Sequence, residues 1–305
     1  MQRLRPRARR RRRSRSTDYG SEARADARLT ARQSHDENFP VAFLLAPRAV
    51  RADLSTIYRF CRTTDDIGDE GAQEPAARLA ALDTWEEDLR RAVQGQEAAG
   101  ELVALGDLIE RRRMGIEPFL RLIEASRMDQ RRARWQTHDD LLDYCRHSAT
   151  PVGEMVLAVL GYHDRWRLEM SDRTCTGLQL VNFWQDIGCD LRERGRVYLP
   201  VESMARFDVS ERDLDRPIAS PAVRALVAEQ VGIARDLLVA GEPLHRFVPA
   251  RVALDLRMFS IAGLALCNAI ARQGHDTLAR RPAPGVRGRV LIAATAIRLL
   301  ARGAR

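Results

Sequence analysis

Two short acidic patterns hold the residues of this 305-residue chain best suited to chemistry. In Leu54 to Glu70, LSTIYRFCRTTDDIGDE, Asp65 and Asp69 stand four apart. In Gly177 to Asp190, GLQLVNFWQDIGCD, Asp186 and Asp190 repeat that spacing, and Gln179 and Asn182 precede them on the same stripe. A four-residue step places two side chains on one helix face, one turn apart. Bare carboxylates in a dry interior are too costly unless neutralised or bound. Paired carboxylates suit a hard cation, Mg²⁺ above all, which also binds substrate phosphates. Two such helices facing each other across a cavity would gather divalent ions around a diphosphate. Taken alone, Asp65–Glu70 also reads as a solvated helix end, since charge runs are usually solvated and Gly68 and Gly71 favour a stop. The second pair tips the balance toward metal–diphosphate binding.

The helices that must present these acids are legible from apolar spacing. Leu54, Ile57, Tyr58 and Cys61 form one stripe, and Leu180, Phe183, Trp184, Ile187 and Leu191 form another. Further helices are expected over 75–93, 101–113, 117–126, 139–146, 154–160, 221–239, about 251–273 and 290–301, with 203–220 as loop. Pro151 must break a helix where it stands. No segment alternates as a strand would, so the expected class is all-α.

The net charge of +8 is concentrated at one end. Residues 1–16 hold nine Arg and no acid, which leaves the remainder at about −1. Residues 1–34 are expected to be a disordered Arg-rich arm and not a nucleic-acid site. The cluster Arg131–Arg134 beside Trp135 is expected to be an exposed basic helix end. Five scattered cysteines with no C-x-x-C pair suit a reducing, cytoplasmic compartment. No run of about 18 uninterrupted apolar residues suggests a spanning helix. The six histidines have no zinc spacing, and no G-x-G-x-x-G is present.

YRFCRTTDDIGDE (58–70), DYCRHSATPVG (143–153), LQLVNFWQDIGCD (178–190) and GRVYLP (195–200) together resemble the squalene/phytoene synthase family over about residues 35–285. ENFPVAFLL (37–45), NFWQD (182–186) and residues 254–282 are most similar to its bacterial hydroxysqualene synthase branch. The resemblance implies an isoprenoid synthase helical bundle with a central cavity, followed by a short C-terminal helix or tail over 286–305. It implies Mg²⁺ held by Asp65, Asp69, Asp186 and Asp190. It also implies substrate or diphosphate contacts from Asn38, Phe39, Tyr58, Arg62, Gln179, Asn182, Phe183 and Arg196.

The branch implies a lyase that converts presqualene diphosphate and water to hydroxysqualene and diphosphate. The alternative is a head-to-head transferase condensing two prenyl diphosphates. Two departures argue against condensation: His35–Phe39 stands where a Ser-rich segment is usual, and Gln185 where Arg is usual. Asp190 to Gly195 is one residue longer than the family spacing, which leaves the roles of Arg192, Arg194 and Arg196 to the structure. The implied partner is an isoprenoid diphosphate. The expected location is cytoplasmic, with peripheral contact at the inner membrane face as an apolar product leaves. The oligomeric state is left open.

Overall fold

The computed structural model describes residues 48–70, 74–98 and 100–284. The arm, Asn38, Phe39 and the 286–305 segment lie outside the described residues. Every named element is helical, and the one β pairing among the described residues is an isolated bridge between Arg134 and Val197. The all-α expectation holds.

The elements are α1 (Arg48–Asp69), α2 (Pro75–Val93), α3 (Gly100–Arg112), α4 (Glu117–Arg131), α5 (His138–Ser148) and α6 (Thr150–Val159). There follow α7 (Arg165–Arg194), α8 (Val201–Arg206), α9 (Glu211–Leu214), α10 (Pro221–Gly241), a 3₁₀ turn (Glu242–Phe247) and α11 (Ala250–Arg272). Residues 203–220 are therefore not simply loop, since α8 and α9 interrupt them. α9 is only four residues long and rests on a capping box at Ser210, too short for apolar periodicity to reveal. Pro151 does divide two helices, and it sits in the first turn of α6, where its missing N–H costs nothing.

α1 buries Asp53, Leu54, Ile57, Phe60, Thr64 and Gly68, whereas Tyr58 and Cys61 are only half-buried. The true inner stripe is thus rotated from the one the sequence suggests, with the wholly apolar Phe60 ring, and not the hydroxyl-bearing Tyr58, taking the core. The Phe60 ring stacks on Trp85 of α2 at 5.6 Å and meets Phe119 of α4 edge-on at 5.2 Å. The Trp85 indole N–H donates to Thr64 at 3.0 Å, so the polar atoms in this core are partnered.

α7 is the long spine, and its most extensive packing is against α10. At Gly177 a Cβ would come within 2.9 Å of the Ala234 carbonyl oxygen, so the absent side chain lets the two backbones approach. α7 ends at Gly195, whose φ of +64° suits glycine. The Arg196 N–H returns to the Asp190 carbonyl at 3.0 Å. That turn sends Arg196, Val197 and Tyr198 back beside the acids.

One helix, Val252–Arg272, is long and apolar enough to cross a membrane by length and composition, although Asp255 and Arg257 interrupt its apolar run. Half of it is buried inside the fold, where it packs on α7 and α10, as a core helix does.

Candidate functional site

α1, α4, α5, α7 and the segment after α7 enclose a cavity of about 410 Å³. Asp65, Asp69, Asp186 and Asp190 all line it, as do Arg62, Gln179, Asn182, Phe183 and Arg196. The structure therefore brings together the two acidic patterns, which lie far apart in sequence. Tyr58 is not in the wall. Asn38 and Phe39 lie outside the described residues. Trp184, an aromatic that could have faced the cavity, is fully buried and donates to the Gln230 carbonyl at 3.1 Å.

Arginines knit the acids together. Arg196 lies 2.9 Å from Asp69 and 3.6 Å from Asp129. Arg194 reaches Asp190 at 3.0 Å and Asp69 at 3.6 Å, so one guanidinium touches both acidic helices. Arg194 stands four residues after Asp190, on the same helix face. Arg62 lies 2.5 Å from both Asp66 and Glu70, although its approach to Asp66 is not aligned for a hydrogen bond. Arg131–Arg134 is not simply an exposed basic end. Arg134 pairs with Glu211, and Trp135 is fully buried.

Asp190 is 8% exposed, and burial pushes its carboxyl up to about 6, with Arg194 opposing and Asp186 adding to the rise. Deeper in the wall is an acid that the sequence reading passed over. The Asp129 side chain is 12% exposed and accepts the hydroxyls of Tyr144 at 2.7 Å and Tyr198 at 3.1 Å. Burial raises it to about 6 despite the Arg196 guanidinium beside it. Burial and then Asp129 push both tyrosines well above their usual range. A signal was present: Leu122, Ala125, Ser126 and Asp129 step along one face of α4, which turns from apolar to acidic on its inner side. Phe183 stacks on Tyr198 at 3.8 Å, and Tyr144 tilts against both, making an aromatic wall under the charged rim.

Gln185 does not face the cavity. It is 1% exposed, and its amide donates to the Pro282 carbonyl at 2.5 Å. Asn182, Asp186 and Asp190 share the inner stripe of α7, and position 185 is rotated away from it by the helical repeat. The expectation that Gln185 withholds a charge from a second diphosphate is corrected accordingly: the side chain anchors the segment after α11. From that segment Arg281 grips Asp186 with two contacts, at 2.5 and 2.9 Å.

Among the described residues, no three Asp, Glu, His or Cys side chains are gathered into a ready-made ion cage. The acids stand apart in two pairs with Arg194 and Arg196 between them. The Asn182 side-chain oxygen is buried in the cavity wall with no hydrogen-bond partner, a neutral oxygen ligand left unused.

Comparison with known proteins gives a consistent picture. The family model described as squalene/phytoene synthase matches residues 32–289. The chain is 36% identical to a 15-cis-phytoene synthase of Synechococcus elongatus, covering 73% of this chain and 75% of that one. It is 31% identical to a hydroxysqualene synthase of Zymomonas mobilis, covering 84% and 86%. Among solved structures it is similar to squalene synthase HpnC from Alicyclobacillus acidocaldarius, with 42% identity, a TM-score of 0.74 and coverage of 84% and 96%. A dehydrosqualene synthase shares the fold at 22% identity, with a TM-score of 0.77 and coverage of 92% and 99%.

Proposed function

The chain belongs to the squalene/phytoene synthase family, and from that premise we propose that it is a hydroxysqualene synthase, taking presqualene diphosphate and water to hydroxysqualene and diphosphate. The observation that carries this reading is the convergence of Asp65, Asp69, Asp186 and Asp190 on one cavity that also holds Arg62, Arg194 and Arg196. Support for the finer assignment comes from the hydroxysqualene synthases among the relatives, such as that of Zymomonas mobilis at 31% identity over 84% of this chain.

The site's donors fit Mg²⁺. Carboxylates on two helices and the unpartnered Asn182 oxygen are hard ligands. Mg²⁺ usually takes one or two carboxylates and completes its shell with water and substrate phosphate, so a fully formed protein cage is not required. Asp65, Asp69, Asp186, Asp190 and Asn182 would hold it. When bound, Mg²⁺ would supply charge neutralisation at the departing diphosphate.

The chain's own residues do the rest. Arg62, Arg194 and Arg196 offer bidentate contacts to diphosphate oxygens. As the carbon–oxygen bond breaks, a cyclopropylcarbinyl cation is left, and the Phe183–Tyr198–Tyr144 wall presents aromatic faces to it. Water then bonds to carbon and must lose a proton. Asp129 is the proton acceptor in this reading, because its carboxyl faces the cavity at about 6, near the working range of a general base.

The test is incubation with presqualene diphosphate and Mg²⁺ but no NADPH, alongside a parallel reaction with farnesyl diphosphate alone. The expected outcome is hydroxysqualene from the first, with its oxygen drawn from heavy-oxygen water, and little or no condensed product from the second. Efficient conversion of farnesyl diphosphate to presqualene diphosphate, squalene or phytoene would replace this reading with the head-to-head transferase.

A further inference from the structure

After α11 the chain forms a strap, residues 273–284, that crosses back to α7. Its backbone is tied down along its length. The Asp276 carboxylate accepts the N–H groups of Leu278 at 3.2 Å and Ala279 at 3.0 Å, and Arg224 of α10 donates to the same acid at 2.7 Å. The Gln273 amide donates to the Asp276 and Arg280 carbonyls, both at 3.1 Å. Gln185 of α7 holds the Pro282 carbonyl. The carbonyls on either side of Arg281 are therefore fixed, while the Arg281 side chain is 50% exposed. The side chain can swing without moving the strap.

That side chain engages both oxygens of Asp186. A guanidinium on both oxygens repels a second cation at the same carboxylate. Arg194 and Arg196 line the cavity with the acids they touch, whereas Arg281 is outside the lining and reaches Asp186 from its edge. An ion pair this open to water is weak and readily exchanged. We propose that Arg281 is a displaceable stand-in cation: it holds Asp186 until a metal ion arrives with a diphosphate, then yields the acid to the metal and turns its guanidinium to the diphosphate.

This exchange rests on the metal–diphosphate reading above and adds an order of binding to it. A bare metal ion must break the Arg281 clasp and gives the guanidinium nothing in return. A metal ion that brings a diphosphate supplies a new bidentate partner for it. Arg281 thus opposes metal alone and favours metal with diphosphate, so the two ligands are coupled through one side chain, and the coupling is reciprocal.

The experiment is binding of two probes to the metal-free full chain: Mn²⁺ alone, followed by electron paramagnetic resonance, and the preformed Mn²⁺–pyrophosphate complex, followed by calorimetry. The native chain is compared with Arg281→Gln, and with Arg272→Gln as a control for losing one exposed positive charge near the same strap. The expected result is a reversal of sign. Arg281→Gln should bind Mn²⁺ alone about fivefold tighter than the native chain and the complex about fivefold weaker, while Arg272→Gln matches the native chain with both probes. A side chain that merely braces the strap would give weaker binding of both probes when removed. Equal or weaker binding of Mn²⁺ alone by Arg281→Gln would therefore overturn the proposal, as would undiminished binding of the complex. Failure of native and variant chains alike to bind either probe would remove the metal reading itself, and the proposal with it.

Discussion

The two acidic pairs share one sequence pattern but sit in different surroundings. Asp65 and Asp69 occupy the last turns of α1, and both residues are exposed. Asp186 and Asp190 lie within the last third of a 30-residue helix, and Asp190 is buried with its carboxyl raised to about 6. The first pair is therefore an accessible half-site. The second is partly desolvated, clasped by Arg281 and Arg194, and more costly to leave without a cation. The spacing makes two acids share a face, and the surrounding burial decides how strongly they need a partner.

The comparison is broken most severely by removing one acid from either helix. Asp65→Ala, Asp69→Ala, Asp186→Ala and Asp190→Ala should each lower turnover by about a hundredfold or more, with helical circular dichroism nearly unchanged. If the two environments matter as described, Asp190→Ala should also raise the melting temperature of the metal-free protein, and Asp65→Ala should not. Near-normal rates in the Asp65 and Asp186 variants would refute the shared-site reading.

Next in size is the loss of the residue that binds α1 to the deep wall. Arg196→Gln leaves Asp129 without its cation and Asp69 with Arg194 alone, which should cost about 2–4 kcal/mol at neutral pH in urea unfolding. Pairing it with Asp129→Asn should recover part of that loss, because the stranded carboxylate is then gone.

A pH series sharpens the contrast further. Asp129 in the folded state titrates at about 6, above an unfolded aspartate's usual value of about 3.9. The folded chain therefore holds a proton that the unfolded chain releases between those values. Stability from this group is fully present below about pH 4 and is lost as pH rises through about 6. The magnitude is about 2–3 kcal/mol. Asp129→Asn should flatten that part of the metal-free stability curve, and an unchanged slope would show that the carboxyl is not held as described.

The smallest effect is expected from deleting residues 1–30. Turnover should be unchanged while the isoelectric point drops toward neutrality. A fall in turnover per folded molecule would show that the arm contributes to the site.

Much of the site was legible because helical spacing and chemistry coincide in it. Gln179, Asn182, Asp186 and Asp190 step along one face of α7, and all four reach the cavity. Asp129 was passed over because an acid ending the inner face of α4 resembles any solvated charge until Tyr144 and Tyr198 are seen to donate to it. Tyr58 lies on a plausible stripe, but the wholly apolar Phe60 takes the core and leaves Tyr58 half-buried. Gln185 misled for a related reason. One residue before Asp186 is about 100° around the helix, so neighbours in sequence look in different directions in space.

By itself the sequence determined that the protein is built of helices and that two of them carry acids in pairs, because periodicity is a local property of the chain. Only the tertiary structure decided that α1 and α7 face one cavity, that Arg194 spans both acid pairs, and that Arg281 arrives from far along the chain to hold Asp186. Those are contacts between distant segments, set by which apolar faces bury together. The same packing sets burial, and burial is what lifts Asp129 and Asp190 to about 6.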